Sequence, residues 1–289
     1  MVDYMFVQGV QFLTTISTKF NYRTVEALPF AHKKGAEKED IISGINKVIT
    51  LYQPCGLTVQ QINGDNEFEC IREDVRPILL NITAADEHVS PVKRSIRSIK
   101  DRTRYQIQYL PYAKYQRTMV ICCMVFATKT LNNEIGMSPL SNKLSPATLI
   151  TGQSQPNYGA LTSITFGEYV EAYSGNAVTN NNEERTTSAL ALYPLGNLQK
   201  GWMFFPLNTG RVIHRHQWKK LPITTKITHR VEEMATKERQ PYISNNFKYK
   251  WDSNVMDEEG AQDPDSDADI ANSARDSDEE NPGINYRIP

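Results

Sequence analysis

Apolar and polar positions over residues 3–28 follow the short period of extended chain. The run YMFVQGVQFLTTIS breaks at Gly9, which predicts a hairpin, and Arg23 to Leu28 supply a third extended segment before Pro29. From Glu37 to Tyr52 the period lengthens: Ile41, Ile42, Ile45, Val48, Ile49 and Tyr52 fall at helical spacing until Pro54 and Gly56 stop it. A fourth strand is predicted at Leu57 to Ile62, running into the turn Asn63-Gly64-Asp65-Asn66. A short helical piece near Arg72 to Arg76 and a strand at Ile78 to Ile82 follow.

A helix beginning near Ser90 carries two stripes. Val92, Ile96, Ile99 and Thr103 form one at i, i+4, i+7, i+11, and Lys93, Arg97, Lys100 and Arg104 form a second on a neighbouring face. One side packs and the other is basic. Ala113 to Leu131, with its centre VICCMVFA, predicts a buried helix, and Ser145-Pro146 to Gly152 reads as a short capped one. The period then shortens again. Strands are expected at Phe166 to Tyr173, Ser188 to Tyr193, Trp202 to Leu207 and Arg211 to Arg215, which suggests a small barrel, with a helix over Ile227 to Lys237.

Charge divides the chain unevenly. The formal net charge over all 289 residues is -1, yet residues 252–289 carry 12 acids against 2 arginines, a net of -10, and residues 1–251 carry +9. A basic body favours phosphate-rich partners. The acidic tail, poor in aromatics, is expected to be disordered from about residue 252. Cys55, Cys70, Cys122 and Cys123 lack any Cys-x-x-Cys spacing, against both a disulfide framework and a structural zinc site, and they favour a reducing, intracellular setting. The opening MVDYMFVQGVQFL has no basic leader, and no apolar run approaches the ~20 residues of a membrane span.

Two acids stand where chemistry would need them. Asp3 starts the first strand and Asp65 follows the fourth, so adjacent strands would bring both carboxylates to one site of hard oxygen ligands, suited to Mg²⁺ or Mn²⁺ and to phosphoryl transfer. Scattered aspartates are more often turn or capping residues. The other signals are weaker. His214-x-His216 lacks a third ligand, Cys122-Cys123 fits inert packing, Asn81-Ile82-Thr83 is a sequon without a secretory signal, and Asp265, Asp267 and Asp269 lack the glycine of a calcium loop.

The succession of blocks resembles the integrase core of copia-type long-terminal-repeat retrotransposons. Asp3 in VDYMFV is similar to the first acidic motif, Gly64-Asp65-Asn66-Glu67-Phe68-Glu69 to the second, and DEHVSPVKRSIRSIKDR to the third. LSPATLITGQ and FGEYVEAY resemble the end of that core, and SALALYPLGN with GWMFFPLNTGRVIHRHQW the small β domain after it. The resemblance implies an α/β RNase H-like core with a mixed five-stranded sheet and flanking helices over residues 1–155. It implies a small β-barrel-like domain over 160–220, then a linker and helix over 221–251 and the acidic tail over 252–289. It also implies DNA as partner, possible homo-oligomers and a nuclear location.

One departure bears on activity. The third block places Lys93 where the family's third catalytic acid stands, and an ammonium repels a metal rather than ligating it. Glu87 lies before the helix and Asp101 about 12 Å along it, so neither takes that place. A second departure is the expected lack of the zinc-binding His/Cys domain that precedes such cores. The expectation is a degenerate integrase fragment. It would hold metal only through Asp3 and Asp65, bind nucleic acid through Lys93, Arg94, Arg97, Lys100 and Arg104, and lack strand transfer. The alternatives are a non-catalytic DNA-binding or scaffold protein, or a remnant without present function.

Overall fold

The computed structural model describes residues 1–8, 10–29, 37–83, 90–153, 163–174, 184–196 and 200–238. The acidic tail and Glu87 lie outside the described residues. The opening strands are β1 (Val2–Val7), β2 (Val10–Ile16) and β3 (Arg23–Ala27), antiparallel in the order β1-β2-β3. Alternation along them fills two layers. Met5, Val7, Val10, Phe12 and Ile16 face one apolar cluster, whereas Val2, Leu13 and Leu28 face another, built with α1 (Lys38–Tyr52) through Ile41 and Ile45. Asp3 therefore shares the face of Met5 and Val7, which is the face covered by α2 (Ser90–Gln108).

The strands expected in one five-stranded sheet are hydrogen-bonded as three plus two. β4 (Gln61–Gly64) and β5 (Leu79–Ile82) form a separate parallel pair. β4 starts later than its apolar residues suggest: Leu57 N–H turns back to Tyr52 C=O at 3.2 Å, and the ladder to β5 opens where Gln60 C=O accepts Leu79 N–H at 3.0 Å. Its last residue explains how it meets β1. A Cβ on Gly64 would lie 2.9 Å from the Phe68 ring and 3.0 Å from Val2 Cγ1, so only glycine admits this approach. Tyr4 of β1 stacks on Phe68 with centroids 4.6 Å apart, and the 3-10 helix Asn66–Ile71 follows at once.

In α2, Val92, Ile96, Ile99 and Thr103 are all buried, as their spacing predicts. The helix packs against β1, β2 and α3 (Arg117–Asn133). α3 is apolar on nearly every side, so it has no amphipathic stripe to mark its start. It begins four residues later than expected because residues 113–116 are tied elsewhere: Ala113 N–H donates to the Glu232 carboxylate at 2.8 Å and Gln116 Nε2 to Val231 C=O at 3.1 Å. In α4 (Pro146–Thr151) the Ser145 hydroxyl caps Thr148 N–H at 3.2 Å and Gly152 ends the turn at φ 65°, following the sequence signal.

The second sheet runs β10-β6-β7-β8-β9 and is antiparallel throughout: β6 (Tyr169–Tyr173), β7 (Thr186–Pro194), β8 (Trp202–Pro206), β9 (Ile213–Arg215) and β10 (Trp218–Lys220). The two edge strands, β9 and β10, are separated only by His216 and Gln217, a link that spans about 10 Å at most. The sheet therefore curls on itself. Trp218 on one edge meets Trp202 and Phe204 of β8, with centroids 6.3 and 5.4 Å away. β10 is too short and too rich in lysine to be visible in the hydrophobic pattern. One apolar cluster runs from Phe12 through Val92 and Met119 to Leu190, Phe204 and Val231 of α5 (Thr225–Lys237). No helix among the described residues is long and apolar enough to cross a membrane.

Candidate functional site

The two predicted acids meet where β1 begins and β4 ends. Asp3 sits on the α2 face of β1, opposite Thr14 in the ladder, and its Oδ1 accepts Tyr4 N–H at 2.7 Å. Thr14 Oγ1 is buried there without a hydrogen-bond partner among the described residues. Asp65 follows Gly64 and caps the 3-10 helix, its Oδ1 accepting Glu67 N–H at 3.2 Å. The cap uses one oxygen of the carboxylate, so the capping role and a ligand role are compatible.

Electrostatics tie the group together. Burial raises the Asp3 carboxyl to about 6; Tyr4 N–H pulls it down, the Asp65 charge pushes it up, the Lys93 ammonium pulls it down and the Glu67 charge pushes it up again. Asp3, Asp65, Lys93 and Glu67 thus lie within one electrostatic neighbourhood. Glu67 is the member that sequence reasoning missed. It is exposed, and burial followed by Asp65 raises its own carboxyl. The signal available for it was the Asp-x-Glu spacing at the head of a short helix.

These residues do not fit a two-metal centre. The carboxylates of Asp3, Asp65 and Glu67 share the site with an ammonium, one oxygen each of Asp3 and Asp65 is engaged by a backbone N–H, and among the described residues no three His, Cys, Asp or Glu side chains are grouped so that they could hold one metal ion. Asp3 and Asp65 are the residues that would contact a single hard cation. Asp101, considered as a substitute acid, is instead paired with Arg104 at 2.7 Å on the outer face of α2.

From Lys93 the basic stripe leads away along α2. Lys93, Arg94, Arg97 and Arg104 are exposed and Lys100 is half-buried. The eleven helical steps from Lys93 to Arg104 cover ~16 Å, about five phosphates of one B-form strand. Arg102, on the inner flank, is held by Glu134. Tyr105 and Tyr109 extend the exposed surface at the helix end, with ring centroids 4.8 Å apart.

The remaining sequence candidates separate from this site. Cys122 and Cys123 are buried in α3, and burial pushes the Cys122 thiol up to about 12 and Cys123 higher still. His214 and His216 lie edge to face at 5.8 Å near the end of β9. Asn81 sits on β5 and donates to Asn63 Oδ1 at 3.2 Å.

No family model and no curated protein matches the chain. Among solved structures, it is similar to the catalytic core domain of BIV integrase at 16% identity and a TM-score of 0.37, over 52% of this chain and 91% of that one. It is also similar to a chain of the simian T-cell lymphotropic virus intasome in complex with PP2A regulatory subunit B56 gamma. That likeness has 13% identity and a TM-score of 0.32, over 78% of this chain and 80% of the other.

Proposed function

We propose that the chain is a nucleic-acid-binding protein derived from a copia-type retrotransposon integrase, with DNA as its partner and without strand-transfer activity. The observation that carries this reading is Lys93. Its ammonium acts on Asp3 within the same cluster as Asp65, at the head of the basic stripe. In a polynucleotidyl transferase that position needs a third oxygen ligand, because two cations must bridge the attacking and leaving oxygens. Lys93 supplies a fixed positive charge instead. It offsets the acid pair at the point where a phosphodiester backbone would pass, and Arg94, Arg97, Lys100 and Arg104 continue the attraction along α2. Asp3 and Asp65 keep local backbone roles as well, which favours a binding or scaffold module over an enzyme. The polyprotein origin, homo-oligomers and a nuclear location belong to the same reading.

The test uses the full chain. Anisotropy titrations with a duplex and a single-stranded oligonucleotide over a salt series should give salt-dependent binding, and neutralising Arg97, Lys100 and Arg104 together should flatten the log-log salt slope by about 3. No nicking is expected with Mg²⁺ or Mn²⁺. Metal-dependent cleavage by the wild type that Asp65→Ala abolishes would overturn the assignment of inactivity.

A further inference from the structure

A cleft of about 410 Å³ opens between the first two turns of α2 and the turn that joins β2 to β3. Residues turn by about 100° each along a helix, so Arg94, Ser95 and Ser98 line a flank of α2 other than the one that carries Lys93. Among the described residues the cleft is walled by Thr18, Asn21, Arg23, Arg94, Ser95 and Ser98, and none of those that line it is an aspartate or glutamate. It lies within the size range of small-ligand sites.

Two donors in it are unspent. Arg23 is 7% exposed and Ser95 2%, yet Arg23 Nε and Ser95 Oγ have no hydrogen-bond partner among the described residues. Buried donors are normally satisfied, so a pair left open on the two sides of one cleft points to a ligand that accepts hydrogen bonds. Arg23 is also held firmly in place. Asn132 of α3 clamps its backbone on both sides, accepting from Arg23 N–H at 2.9 Å and donating to Arg23 C=O at 2.7 Å. Its Nη1 donates to Asn21 C=O at 3.2 Å. The acid that acts on Arg23 is Glu134, which is engaged by Arg102 and does not line the cleft. Two arginines and a serine thus line one cleft with no carboxylate among its described lining residues, at the end of α2 where the helix dipole is positive.

We propose that this cleft binds a phosphate group, with Arg94 at the rim and the Arg23 guanidinium and Ser95 hydroxyl as the inner donors. The planar forks of the two arginines match the paired oxygens of a phosphate. The site does not use the Asp3–Asp65 pair; it shares Arg94 with the basic stripe, whereas its inner donors, Arg23 and Ser95, have no part in the proposed function. The phosphate has two possible sources, a small free phosphate or the backbone of a nucleic-acid strand, and the donor chemistry is the same for both.

The experiment is a titration of the ¹⁵N-labelled full chain with inorganic phosphate at constant ionic strength, observing the Arg Nε–Hε resonances. Saturable shifts of Arg23 and Arg94 are expected. Arg94→Gln, at an exposed position, should weaken binding about tenfold, and Ser95→Ala several-fold. Arg76→Gln, a distant surface arginine paired with Glu73, should leave binding unchanged. An oligonucleotide that shifts the same resonances and is displaced by phosphate identifies the strand as the source, whereas phosphate binding without an oligonucleotide response identifies a free phosphate. Both outcomes support the site. Absence of saturable shifts with either probe, or an equal loss in Arg76→Gln, would overturn it.

Discussion

Replacing Asp3 with asparagine tests whether the acid pair is a destabilising feature of the fold. In the folded chain burial holds this carboxyl at about 6, against 3.8 for an ordinary aspartate. Below pH 3.8 both folded and unfolded forms are protonated and the group has no effect on stability. As pH rises towards about 6 the unfolded chain ionises first, so stability is lost across that window and stays lost above it. The gap corresponds to at most about 3 kcal/mol at ~1.4 kcal/mol per pH unit. Because water reaches part of the group, screening lowers this to about 1–2 kcal/mol. Asparagine keeps the acceptor for Tyr4 N–H and never ionises. Asp3→Asn should therefore be more stable than the wild type by about 1–2 kcal/mol at pH 7.5, a rise in Tm of about 2–4 °C for each kcal/mol in a chain of this size. The advantage should shrink towards zero by pH 4. Urea denaturation at both pH values reads it directly. A variant less stable than the wild type at pH 7.5, or an equal gap at the two pH values, would refute the reasoning.

Three further outcomes follow from the same geometry. Lys93→Gln removes the charge that draws the Asp3 carboxyl down, so the Asp3 midpoint should move above about 6 in a ¹³C-carboxyl NMR titration; an unchanged midpoint would separate Lys93 from the site. Asn132→Ala strips both partners from the buried backbone of Arg23 and should cost about 3 kcal/mol in chemical denaturation, since two buried polar groups lose their bonds. In native protein a thiol reagent should label exposed Cys70 readily and leave Cys122 and Cys123 untouched until the chain is unfolded, because burial holds those two thiols protonated.

The periodicity of the chain alone determined which residues form α1, α2 and the opening hairpin, because each of these elements has one apolar face against a polar one and that contrast is written at fixed spacing. It also determined the buried stripe of α2 from Val92 to Thr103, its basic neighbour, and the cap at Ser145, where the chemistry is local. Tertiary structure decided the rest. The start of α3 depends on hydrogen bonds from Ala113 N–H to the Glu232 carboxylate and from the Gln116 side chain to Val231 C=O, in α5 more than a hundred residues away. β10 exists because Trp218 to Lys220 pair with β6 while Trp218 packs on Phe204 of β8, partners that three residues with two lysines do not announce. Asp3 and Asp65 were legible as candidates, but their proximity rests on the absence of a side chain at Gly64 and on the stacking of Tyr4 on Phe68. Glu67 joined them only when the helix after β4 began at once. The Arg23–Ser95 cleft left no trace in sequence, since it joins a strand start to a helix turn some seventy residues later and is recognised only by donors that folding buried without partners.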